Sequence, residues 1–95
     1  MIVDFACRDT EALARHGKMI TWLPRQLQRQ AQRKLKQLEA VERLQDMGIP
    51  PGNRLEKLSG NRKGQYSVRI NDQWRICFRW QDGKVHQVEI VDYHG

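Results

Sequence analysis

The sequence has 95 residues, 39% of them hydrophobic, which suits one small globular domain and is too little for a multidomain enzyme. Seventeen Lys and Arg against 11 Asp and Glu give a net charge of +6, a balance that favours a polyanionic partner such as nucleic acid or an acidic protein. Asp4 and Asp9 fall where a signal peptide needs a long apolar stretch, and nothing nears the ~20 apolar residues of a membrane span, so a cytoplasmic protein without a membrane partner is expected.

In chain order, Ile2 to Phe5 reads as a short opening strand. Asp9 or Thr10 can cap a first helix that Gly17 ends. Pro24 suits the first position of a second helix. Leu27, Ala31, Leu35, Leu38, Val41, Leu44 and Met47 then follow at spacings of three and four, with Gly48 after them. This pattern predicts one apolar stripe on a helix of roughly six turns. Its other face carries Arg25, Arg29, Arg33, Lys34 and Lys36, and no acid interrupts positions 25–36. That face reads either as a solvated surface or as a contact for RNA or an acidic protein. Ile49-Pro50-Pro51-Gly52-Asn53 breaks the helix.

Beyond it the period becomes two. Tyr66, Val68 and Ile70 alternate with Ser67 and Arg69, and Trp74, Ile76, Phe78 and Trp80 with Arg75, Cys77 and Arg79. Asp82-Gly83 is a hairpin signal, and Val85, Val88 and Ile90 form a last strand whose alternation slips once. The result is an α+β domain over residues 1–95, a small twisted antiparallel sheet packed against two N-terminal helices. Trp74 and Trp80 belong to the core. Cys7 and Cys77 read as reduced thiols. His16, His86 and His94 lack metal-ligand spacing with them, and no Gly-rich nucleotide motif is present, so neither a metal nor an organic cofactor is expected.

Register sharpens the reading. A shared core face for Ile70 and Trp74 requires a three-residue loop, Asn71-Asp72-Gln73. Arg69 then lies opposite Arg75, a destabilising pair unless an anion or carboxylate sits between them. Trp80 pairs with Val85, and bringing Phe78 opposite Val88 needs a bulge near His86 or Gln87. Arg69, Arg75, Glu89 and Tyr93 then share the polar face. Such a face is either a phosphate site, with Arg binding phosphate oxygens bidentately, or the solvated outside of an antiparallel sheet. The loop Ser59-Gly60-Asn61-Arg62-Lys63-Gly64 reads equally as a phosphate-backbone contact or a solvated turn.

Several stretches together resemble a known family: Ile49-Pro50-Pro51-Gly52-Asn53-Arg54-Leu55-Glu56, Leu58-Ser59-Gly60-Asn61-Arg62-Lys63-Gly64, Tyr66-Ser67-Val68-Arg69-Ile70-Asn71, Trp74-Arg75-Ile76-Cys77-Phe78 and Asp92-Tyr93-His94. In order and spacing they are similar to HigB-type toxins of the RelE/ParE superfamily of bacterial toxin–antitoxin systems. The resemblance implies a RelE-like microbial ribonuclease fold and a toxin that cleaves mRNA in the ribosomal A site. It also implies a HigA-type helix-turn-helix antitoxin, with operator DNA bound only through the toxin–antitoxin complex. By the same resemblance, Arg75 stabilises the scissile phosphate. Tyr93 stacks on a base or helps proton transfer, and Asp92 and His94 assist acid–base steps or hold substrate. Arg54, Lys57, Arg62, Lys63, Arg69 and Arg79 are the expected RNA contacts. Glu56 departs from the family pattern by standing where many relatives carry a His, and Ser59 by standing where they carry a Lys. Glu56 is then either the base for the 2′-hydroxyl or a carboxylate that orients Arg69 or Arg75. A gyrase poison of the ParE type and a non-catalytic basic RNA-binding module are the alternative functions.

Overall fold

In a computed structural model the described residues are 1–93. Two α-helices, α1 (Arg8–His16) and α2 (Gln28–Ala40), precede four strands: β1 (Glu56–Lys57), β2 (Tyr66–Arg69), β3 (Trp74–Gln81) and β4 (Lys84–Asp92). The strands form one antiparallel sheet in the order β1-β2-β3-β4. The helices cover one face of it. Leu13, Leu35 and Leu38 pack with Val68, Ile76, Phe78 and Val88 in a single buried cluster. The α+β reading stands.

Helix α1 ends as expected, with Gly17 in the left-handed region at φ 65°. Its start differs. Cys7 is the N-cap residue and no side chain caps it. Asp9 and Thr10 are engaged in tertiary contacts instead: Asp9 accepts from Trp22 Nε1 at 2.7 Å, and buried Thr10 Oγ1 accepts the Ile90 N–H at 3.1 Å.

The six-turn helix is not formed. Helix α2 ends at Ala40, Val41 is extended (ψ 137°), and the chain resumes as a 3₁₀ turn at Leu44–Gly48. Val41 and Met47 are nonetheless buried. A straight helix would carry Met47 about 10 Å past Ala40 at the helical rise. Breaking the chain folds that segment back onto the core instead. Gln37 holds the return, donating to the carbonyls of Asp46 (3.3 Å) and Ile49 (2.7 Å).

The opening strand is also reduced. Ile2 and Phe5 make isolated parallel bridges to Val85 and Val88 on β4. Between them β4 is bulged, so a continuous ladder has no partner. The bulge is where the register demanded it: Cys77 faces Glu89 while Arg79 faces His86. Gln87 sits at φ 53° and donates its N–H to Asp4 Oδ1 at 2.6 Å.

Candidate active site

The outer face of the sheet is built by the β2–β3 hairpin. Asn71 Oδ1 accepts the N–H groups of Gln73 (2.9 Å) and Trp74 (2.8 Å), which shapes the three-residue turn. Ile70 N donates to Trp74 O at 2.9 Å. Arg69 thus faces Arg75, Val68 faces Ile76 and Ser67 faces Cys77. The two arginines do not share one anion. Arg69 pairs with Asp72, beside it in the turn. Arg75 turns the other way, to Glu56 on β1 across β2, with Nη2 3.2 Å from Oε1.

Arg75 is the most constrained group on this face. Its Nη1 donates to Ser67 Oγ at 2.8 Å and to the Arg54 carbonyl at 3.3 Å. Its guanidinium lies 5.6 Å from the centroid of the Tyr93 ring, a cation–π arrangement. The side chain is 13% exposed whereas that of Glu56 is 52% exposed, so the arginine is held and the carboxylate reaches solvent. Arg54 occupies the left-handed region at φ 45°, a conformation that costs a non-glycine residue about 1–3 kcal/mol.

Asn53, fully buried, fixes the residue before Arg54. Its Nδ2 donates to Gln37 Oε1 (3.1 Å) and Met47 O (2.9 Å), and its Oδ1 accepts from Lys34 Nζ at 2.5 Å. The Lys34 ammonium is shifted below its ordinary pKa, first by burial and then by the charges of Arg33 and Arg69. Positive charge is therefore crowded along this edge. Arg54, Arg69, Asn71, Asp72 and Arg75 line an open cleft of about 290 Å³.

Cys77, opposite Ser67 in the register, is wholly buried. Burial pushes its thiol up to about 11; Glu89 adds to the rise, and Arg62 and Arg75 oppose it. It is therefore a packing group and not a nucleophile at neutral pH. Burial works against the charge of Arg62, but its hydrogen bond to Glu89, 3.0 Å away, together with the negative charges of Glu89 and of ionised Cys77 and Tyr93, raises its pKa.

The structure gathers Arg54, Glu56, Arg69, Arg75 and Tyr93, with Arg62 at the flank. It does not bring in Lys57 or Asp92. Lys57 pairs with Tyr66, whose ring stacks on core Phe78 at 6.1 Å, so Lys57 lies on the side opposite Glu56. Asp92 faces Trp74 in the register and accepts from Gln73 Nε2 at 3.2 Å, again on the side away from Arg75. Arg79 shares the face but lies farther along β3, donating to Gln87 Oε1 at 3.0 Å. Its Nη1 would lie 2.6 Å from a Cβ on Gly64. Lys63 is exposed in the turn after Gly60–Arg62, and His94 lies outside the described residues. The sequence reading gave no role to Ser67 or Asn53 and placed Lys34 only on the basic face of the helix. Ser67 was visible by parity with Arg69. The other two meet only through tertiary contact. Among the described residues no group of three or more His, Cys, Asp or Glu side chains is placed to hold a metal ion.

A four-stranded antiparallel sheet backed by two helices is a fold already seen in solved structures. A chain of the heterotetrameric YoeB–YefM toxin–antitoxin complex from Staphylococcus aureus superposes with a TM-score of 0.54 at 17% identity, covering 100% of this chain and 99% of that one. The particular family follows from sequence. The chain belongs to the HigB-like toxins, the RelE-like toxins of type II toxin–antitoxin system HigB, matching that family over residues 5–94. It is 39% identical over 83 residues to Toxin HigB-1 of Vibrio cholerae, covering 87% of each protein. It is also 34% identical over 41 residues to a Proteus vulgaris protein named Endoribonuclease HigB, covering 43% of this chain and 45% of that protein.

Proposed function

We propose that this toxin is an endoribonuclease that cleaves mRNA in the ribosomal A site, using the 2′-hydroxyl of the substrate as nucleophile. The observation that carries the reading is Arg75. It is fixed by Ser67, the Arg54 carbonyl and Glu56, and it opens into a cleft lined by two further arginines. A preorganised guanidinium of this kind stabilises charge growing on phosphate oxygens. Glu56 takes the proton from the 2′-hydroxyl. The freed oxygen bonds to phosphorus, and the bond from phosphorus to the 5′-oxygen breaks. That leaving oxygen takes a proton from the Tyr93 hydroxyl, and the products are a 2′,3′-cyclic phosphate and a new 5′-hydroxyl end. His94, from the same C-terminal stretch, helps to hold the substrate. The negative charge of Glu56 beside a phosphate is offset by Arg54, Arg69 and Arg75.

Ribosome dependence fits the shape of the site. Glu56 and Tyr93 are both substantially exposed, and an open cleft does little to orient a free strand. A ribosome-held codon supplies that orientation, which is where much of the rate lies. The cationic side of α2, where Arg29, Arg33 and Lys36 line a surface depression, suits ribosomal RNA. A HigA-type antitoxin would hold the toxin silent, and the complex would reach operator DNA through the antitoxin.

The test is cell-free translation of a defined mRNA with 5′ ends mapped, with and without ribosomes, for the toxin freed of antitoxin and for Arg75→Ala and Tyr93→Ala. Cuts within A-site codons, dependent on ribosomes and lost in folded variants, are expected. Intact mRNA accompanied by DNA damage in cells would replace this reading with gyrase poisoning.

A further inference from the structure

We propose that Arg69, Arg54 and Asn71 form a second phosphate subsite beside Arg75, which takes the phosphodiester next to the scissile one, and that Asp72 occupies it in the free protein as a displaceable carboxylate. This rests on the nuclease reading above and assigns a further part of that cleft.

The first support is direction. Arg69 and Arg75 are cross-strand partners, so their Cα atoms are about 5 Å apart. Their side chains then diverge. Arg75 runs back along the hairpin to Ser67 and Glu56, and Arg69 runs forward to Asp72 in the turn. Two guanidinium groups turned to opposite ends of one cleft suit two consecutive phosphates better than one.

The second support is that the turn does not need the Asp72 carboxylate. Asn71 Oδ1 already holds the turn N–H groups of Gln73 and Trp74. The Asp72 side chain is 96% exposed, and an ion pair so open to water is weak. A backbone phosphodiester offers Arg69 the same single charge on two acceptor oxygens and can also meet Arg54 and Asn71, which line the same cleft, so a held strand displaces the carboxylate.

The third support is charge. Arg54, Arg69, Arg75 and the nearby Lys34 stand against Asp72 and Glu56, and the charge of Arg69 adds to the burial and the Arg33 charge that lower the Lys34 pKa. Asp72 thus lowers the affinity of the toxin for stray polyanions. A correctly held strand displaces it.

The test is equilibrium binding of a fluorescent single-stranded RNA oligonucleotide, 2′-O-methylated throughout so that it cannot be cut, to full-length wild type, Asp72→Asn, Arg69→Ala and the double variant across a salt series. Asp72→Asn should tighten binding up to roughly fivefold, the factor an exposed ion pair carries. In the Arg69→Ala background that gain should vanish. Arg69→Ala should itself lower the salt slope by about 0.7, one phosphate contact on a single strand. A gain that persists without Arg69 would mean only a general loss of negative charge and would overturn the subsite. So would an unchanged salt slope in Arg69→Ala. Because the probe is not cleaved, these results stand apart from the nuclease test: absence of A-site cuts would overturn the reaction, while loss of coupling between Asp72 and Arg69 would overturn the subsite alone.

Discussion

Replacing Arg75 with Lys keeps the charge and removes the fork. The arginine reaches Ser67 Oγ at 2.8 Å and the Arg54 carbonyl at 3.3 Å through one nitrogen and Glu56 at 3.2 Å through the other, while its plane lies against the Tyr93 ring. A lysine ammonium on a four-carbon stem cannot meet Ser67 and Glu56 together and has no plane to stack. Losing two such contacts at about 0.5–1.5 kcal/mol each costs about 1–3 kcal/mol of stability. For a domain of this size that lowers Tm by roughly 4–24 °C, so cleavage is assayed below the melt of the variant. The catalytic loss is larger in proportion, because a donor aimed at the developing charge is worth about 100- to 1,000-fold in rate. The assay pairs A-site cleavage rates in cell-free translation with a thermal melt of the same preparation. An Arg75→Lys variant that melts within that window and cleaves within threefold of wild type would refute the reasoning, since point charge alone would then suffice.

Other outcomes follow from the same contacts. Burial raises the Cys77 thiol from 9.0 to about 11, so its protonated form is favoured on folding; this contribution, about 2–3 kcal/mol, is complete below pH 9 and lost as pH rises to 11. Urea midpoints for wild type and Cys77→Ala should converge across that window, and a constant gap would contradict it. Gly64→Ala places a side chain at φ 92° with its Cβ 2.6 Å from Arg79 Nη1, and a loss of about 1–3 kcal/mol is expected by chemical denaturation. Leu38, with no exposed surface, should cost about 2–5 kcal/mol when cut to Ala, read as a fall in the urea midpoint without a change in slope.

How legible the site was depended on how far each residue sits from its partners along the chain. Arg69 opposite Arg75, Trp80 opposite Val85 and the bulge at Gln87 follow from period-two alternation and short turns, where a slip of one residue would invert every face. The same parity explains why Lys57 and Asp92 fall away from the cleft, although the sequence reading had included them. The long apolar stripe of α2 was truthful about burial and misleading about backbone. Val41 and Met47 are core residues outside any helix, because periodicity records which residues are buried and not whether the chain between them bends.

The sequence by itself determined the α+β class, the strand register, the core face and the placing of Arg69, Arg75 and Tyr93 on the other face. Those properties arise from alternation and from turns of two or three residues. Only the tertiary structure decided which carboxylate each arginine takes, that Ser67 and the Arg54 carbonyl orient Arg75, and that Lys34 on a helix reaches Asn53 before the first strand. These contacts join segments many residues apart, and local patterning carries no information about which distant groups the folded core brings within hydrogen-bonding distance.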